Sequence, residues 1–113
     1  MARYPISFPT AAMDLPDAEI PAVAREAHAV VQGAREAGAY LFSGGLNEDV
    51  EPVVVAGDGT VPDPTHPDSM ELNGGFAVID APSRDAAPKW TEKTVLACRC
   101  SQEVREFPFD PLV

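Results

Sequence analysis

The sequence predicts an α+β fold, a sheet with both of its helices on one face. Two observations carry that prediction. Apolar residues recur at helical spacing in two separate segments, and the stretches around them are short β-rich runs punctuated by glycine and proline. The implied order is strand, helix, strand, inserted hairpin, strand, helix, strand, with no repeat, linker or low-complexity segment across residues 1–113, which read as a single domain.

Residues 3–8 alternate between apolar and other side chains, and Pro5 and Pro9 place this first strand at an edge or a bulge. From Asp17, a candidate cap, the positions Ile20, Val23, Ala24, Ala27, Val30, Val31 and Ala34 form a helical stripe, with Pro21 tolerated in the first turn and Gly38 at the stop. Tyr40, Leu41 and Phe42 follow as a short strand ended by Ser43, Gly44 and Gly45. Residues 52–56 are β-rich and meet Gly57-Asp58-Gly59, a turn signal because glycine tolerates positive φ, so Thr60 and Val61 are expected to begin a return strand. Pro62, Pro64 and Pro67 end that strand, and residues 74–79 supply one read as buried on both faces. Ser83-Arg84-Asp85 opens a second helix along Ala86, Ala87, Trp90, Thr94 and Ala97, with Pro88 in its first turn. Residues 102–107 close the chain as a last alternating strand.

With 113 residues, 45% of them hydrophobic, the chain has enough apolar material for a core without staples. The 18 acidic against 8 basic residues, a formal net charge of −10, argue against nucleic acid and anionic membrane surfaces as partners. No stretch is expected to act as a signal peptide or to span a membrane. Cys98 and Cys100 are too close for an ordinary disulfide and too few for a zinc cage, so a reducing cytoplasmic location is expected.

The densest cluster of ionisable residues lies in the loop DPTHPDSMELNGGF, where Asp63, His66, Asp68 and Glu71 fall between prolines and a glycine-led strand. Neighbouring carboxylates raise at least one another's pKa, which suits a general base with supporting acids. The plainer reading is a solvated loop with local hydrogen bonds. His66 carries an imidazole of ordinary pKa about 6.5, able to shuttle a proton or bind metal. The competing reading leaves it facing solvent. A metal site at Asp63, His66, Asp68 and Glu71 has no diagnostic spacing, and no metal or other cofactor is expected. Cys98 and Cys100 read as small buried hydrophobes.

The element order and these residues resemble the YCII-related family, and within it the branch named for an Asp-Gly-Pro-Phe signature. Asp63 falls on the signature aspartate, Asp68 and Glu71 on two usual glutamates, and Gly75-Phe76 on the glycine-aromatic pair that opens the next strand. Pro64, Thr65 and His66 stand where the signature has Gly, Pro and Phe, and Met70 where a lysine is common. Gly44-Gly45-Leu46, Ser83-Arg84-Asp85-Ala86 and Glu103-Val104-Arg105 match further short motifs in the family's order.

The resemblance implies a ferredoxin-like fold and homodimers paired through their sheets into a barrel-like α/β body, with Phe42, Val78 and Val104 on the face a second subunit covers. It also implies a first-helix histidine paired with an aspartate as a catalytic dyad, which points to His28, about 100° round the helix from Ala27. The alternative for His28 is a half-buried, hydrogen-bonded histidine. Taken together, these readings predict a small-molecule cleft with Asp63, His28 and Glu71 as catalytic candidates and Arg99, Arg105, Asp68 and His66 as substrate-binding ones. The expected chemistry is elimination, isomerisation or hydrolysis of a small cyclic or aromatic compound. The competing class is a noncatalytic regulatory dimer acting with a basic protein partner such as a transcription sigma factor.

Overall fold

The computed structural model describes residues 2–61 and 73–112. Four strands, β1 (Ala2–Phe8), β2 (Tyr40–Gly45), β3 (Gly75–Ala81) and β4 (Glu103–Val104), form one antiparallel sheet in the order β2-β3-β1-β4. Helix α1 (Ile20–Glu36) joins β1 to β2, and helix α2 (Ala86–Cys98) joins β3 to β4. This is the ferredoxin-like arrangement that the sequence predicts. No helix among the described residues is long and apolar enough to cross a membrane.

The pleat divides the sheet into two unlike faces. Tyr4 pairs with Ile79, Ile6 with both Ala77 and Val104, and Ala2 with Ala81, so these side chains share one face. Tyr4, Ile6, Ile79, Ala81 and Ala87 form the core beneath the helices, with Trp90 and Val104 packed against it. Val104 therefore belongs to the helix side, a correction to its expected place on the uncovered face: its register opposite Ile6 decides the matter. The uncovered face carries Pro5, Phe42, Phe76 and Val78. Strand β3 is thus buried on one face only, not both as predicted.

Pro5 lies inside the sheet rather than at an edge. The Arg105 N–H donates to the Pro5 carbonyl and the Phe107 N–H to that of Arg3, which turns the missing Pro5 donor towards β4. Pro5 removes a bond only from the pairing with the short outer strand. The last strand is correspondingly two residues by its full ladder, although these two bonds carry its alignment on to Phe107.

Helix α1 begins at Ile20, after a single 3-10 turn at Asp17–Glu19, and Asp17 makes no side-chain cap. Pro21, preset for a first turn and needing no donor there, fixes the later start. Val23 and Ala34 are buried, whereas Ile20 and Ala24 at the near end of the predicted stripe face solvent. The helix ends as expected: Gly38 takes φ +73, its N–H donates to Arg35, and the Ala39 N–H donates to Ala34, together a Schellman closure. Pro88 falls in the first turn of α2, as predicted.

Among the described residues the inserted hairpin does not form. Gly57-Asp58-Gly59 makes the expected turn, closed by Ala56 and Thr60, but its flanks pair with no strand among the described residues. Val53 and Val55 are largely exposed, and without packing their β propensity has nothing to act on. The Thr60 N–H, followed by its hydroxyl, donates to Asp58 and holds that carboxyl below its ordinary pKa.

Gly74 and Gly75 allow β3 to approach the end of β1. At Gly74, φ is +88 and a Cβ would lie 1.9 Å from the Phe8 carbonyl oxygen, so Gly74→Ala is expected to cost about 3 kcal/mol or more in a denaturant titration. Gly33 lies within α1 with nothing within 4 Å of an added Cβ, and Gly33→Ala should stabilise by about 1 kcal/mol in the same assay.

Candidate functional site

The groove between α1 and the edge strand β2 gathers polar chemistry. It encloses about 440 Å³ and is lined by His28, Val31, Gln32, Arg35, Tyr40 and Ser43. Four of these lie on α1 at i, i+3, i+4 and i+7, one continuous face of the helix. Tyr40 and Ser43 come from β2, and their shared orientation has a specific cause. Tyr40 pairs with Ile79, Phe42 with Val78 and Ser43 with Ala77, so the register shifts at Leu41. In a regular strand, positions three apart point to opposite faces; the extra residue of the bulge returns Ser43 to the helix side beside Tyr40.

The Tyr40 hydroxyl lies 2.8 Å from the Ser43 hydroxyl, a hydrogen bond in which either oxygen can be the donor. Arg35 places its guanidinium 4.8 Å from the centre of the Tyr40 ring, holding positive charge at the rim. Gln32 donates to Glu36 one turn on, which ties back the polar edge of the helix. His28 is exposed in the groove. The site thus offers an imidazole able to accept a proton, a pair of hydroxyls able to donate one, and a cation able to hold an anionic oxygen.

The other described candidates, Arg99 and Arg105, lie outside this groove. Asp63, His66, Asp68 and Glu71 lie outside the described residues. The described flanks of that segment are anchored: the Gly74 carbonyl accepts from Leu46, the Asn73 side chain from the Thr10 N–H, and the Thr10 hydroxyl contacts Glu48. Arg99 caps α2 in the left-handed conformation at φ 57 and forms ion pairs with Glu19 at 3.3 Å and Glu26 at 3.6 Å. It fastens the end of α2 to the start of α1, away from His28. Arg105 lies beyond β4 in contact with Glu103, at the other edge of the sheet. Among the described residues, His28 is therefore the one predicted site residue that lines the groove.

Sequence reasoning missed Arg35, Gln32, Tyr40 and Ser43. The polar repeat from His28 to Arg35 was visible as a helix face, but the bulge that turns Ser43 towards it has no local sequence mark. Among the described residues no three His, Cys, Asp or Glu side chains are grouped to hold a metal ion.

A four-stranded antiparallel sheet in this order, with two helices on one side, defines the ferredoxin-like α+β class. The model of the YCII-related domain matches residues 12–107, and the chain belongs to that family. None of the curated proteins matches significantly. Among solved structures the chain is similar to 5-chloro-2-hydroxyhydroquinone dehydrochlorinase (TftG) from Burkholderia phenoliruptrix AC1100, determined in complex with 2,5-dihydroxybenzoquinone. The TM-score is 0.50 at 16% identity, covering 96% of this chain and 95% of that one, a likeness of fold.

Cys98 and Cys100 are free, and Cys100 is buried. Burial, reinforced by the nearby Cys100, pushes the Cys98 thiol above its ordinary pKa. The stability contributed by this protonated thiol is present below the unfolded pKa and is lost as pH rises through the higher folded value. Alkylation of Cys98 at about pH 8 should accordingly be slower in the folded protein than in denaturant, as peptide mass spectrometry would measure.

Proposed function

We propose that this protein binds a small hydroxylated cyclic or aromatic compound in the groove of His28, Arg35, Tyr40 and Ser43, and acts on it by proton transfer. The observation that carries the reading is the hydrogen-bonded Tyr40 and Ser43 pair facing a groove that also holds His28. An open site with an imidazole and oriented hydroxyls suits abstraction of a proton next to a carbonyl or phenol, with departure of a leaving group as an elimination. Arg35 would hold the oxygen that gains negative charge, and Tyr40 or Ser43 would donate to it. The solved relative in fold is named for loss of chloride from a hydroxyhydroquinone and holds a dihydroxybenzoquinone, which supports a ligand of that class.

In this reading Asp63 and Glu71 complete the site, and we propose Asp63 as the partner of His28, by analogy with the histidine–aspartate dyad of plain YCII members. Asp68 and His66 remain proposed ligand contacts on the same loop. The ion pairs of Arg99 and the distance of Arg105 from the groove remove the ground for giving them the ligand's charge, and Arg35 takes that place. The regulatory alternative with a sigma factor has no support from the fold or the relatives.

The test is a thermal-shift screen with dihydroxybenzoquinones and hydroxyquinols, followed by titration. A ligand at about 100 times its Kd stabilises by about 2.7 kcal/mol. His28→Ala, Tyr40→Phe and Asp63→Asn should each raise Kd about tenfold or abolish turnover. Equal stabilisation of the wild type and all three variants would remove the groove from the function.

We also propose that the chain forms a homodimer through the uncovered face of its sheet. Phe42 is 60% exposed there, with Phe76, Val78 and Pro5 beside it. A patch of that kind across a sheet marks an interface. Light scattering at micromolar concentration should give twice the 12.0 kDa chain mass. Phe42→Asp combined with Val78→Asp should give the monomer mass, and a monomeric wild type would overturn the pairing.

A further inference from the structure

A second cleft lies at the opposite edge of the sheet from the His28 groove, where β4 and the stretch after it meet the start of α2. It encloses about 150 Å³ and is lined by Tyr4, Arg84, Ala87, Pro88, Val104 and residues 105–106. No role in the proposed function touches it.

Tyr4 gives this cleft its interest. Its ring lies in the core with only 3% of the residue exposed, and among the described residues its hydroxyl makes no hydrogen bond. Yet no side-chain oxygen or nitrogen among the described residues is both fully buried and unpartnered. Tyr4 lines this cleft, and the hydroxyl is the polar atom that it can present there. A buried phenol whose hydroxyl has no partner among the described residues is a donor available in the wall of a pocket.

The groups around the hydroxyl favour an anion. Helix α2 runs for 13 residues and starts beside the cleft, where its N-cap residue Asp85 makes no side-chain cap, so the positive end of its dipole lies at the cleft's edge. Arg84 stands at the rim, its Nε 3.8 Å from Glu106 Oε2. Glu106 shares the face of Tyr4, because its neighbours Arg105 and Phe107 donate to the carbonyls of Pro5 and Arg3 on either side of Tyr4. This ion pair is long, and Arg84 is 86% exposed, so it is weak and easily exchanged for another carboxylate. Ala87, Pro88 and Val104 make the remaining wall apolar.

We propose that this cleft binds a small monocarboxylate with a short apolar tail. The ligand's carboxylate replaces Glu106 on Arg84 and accepts a hydrogen bond from the Tyr4 hydroxyl, while its tail rests on Ala87, Pro88 and Val104. The cleft has room for about five waters, the scale of a short-chain acid. Glu106 acts as an internal occupant that an incoming acid displaces.

The experiment is an amide-resonance titration of the full chain with sodium butyrate, against butylammonium chloride and sodium chloride at equal ionic strength. Butyrate should move the resonances of Tyr4, Ala87 and Val104 saturably. Tyr4→Phe, which keeps the ring in the core, should raise Kd by about fivefold, and Arg84→Gln by about tenfold or more. Glu106→Gln should lower Kd several-fold, because it removes the competing carboxylate. The proposal is overturned if these resonances do not move, if Arg84→Gln binds as well as the wild type, or if butylammonium binds as tightly as butyrate. Weaker butyrate binding by Glu106→Gln, or shifts centred on Ser43 rather than Tyr4, would overturn it equally.

Discussion

The antiparallel pairing of β1 with β3 is the constraint on which the remaining structure depends. All seven residues of each strand are in register, from Ala2 opposite Ala81 to Phe8 opposite Gly75. That register sends Tyr4, Ile6, Ile79 and Ala81 to the helices and Pro5, Phe76 and Val78 to the outside. Every other strand takes its faces from these two. At the far end the Phe8 ring lies across Gly75, where a Cβ would be 2.8 Å from Phe8 Cζ, so the absence of a side chain lets the pairing run to its last residue.

The core built on this pair is shallow. Ala81 and Ala87 are its most completely buried members, and among the described residues no large side chain is wholly enclosed. Small residues let α2 sit close to the sheet, but they remove little apolar surface from water. The unused apolar side chains, Phe42 and Val78 among them, lie on the other face. Covering them with a second subunit would add to the modest burial within one chain.

How much was legible in the sequence follows from how local each signal is. The helices and their order were readable because apolar periodicity and the Gly38 stop act within a few residues. The predicted strands at residues 52–56 and 60–61 failed because valines prefer a strand only where a neighbouring strand and a core receive them. Val104 was assigned to the wrong face because strand alternation gives two faces but not which one meets the helices. In the site, His28 was found through the family's first-helix histidine, whereas Tyr40 and Ser43 were missed because their convergence depends on a register shift against β3. The YCII-related family was recognisable from short motifs in order, since spacing survives where individual residues of a signature do not.

The bulge at Leu41 makes the site and the outer face of the sheet a matter of parity. On one side of it the strand presents Tyr40 to the helices; on the other it presents Ser43 to them and Phe42 to the outside. Were Tyr40, Leu41, Phe42 and Ser43 all paired in regular alternation, those roles would be exchanged, with a hydroxyl turned outward and a phenylalanine into the groove. The bulge therefore matters for a reason unrelated to loop tolerance: one unpaired residue fixes both what the groove can bind and what the outer surface can join.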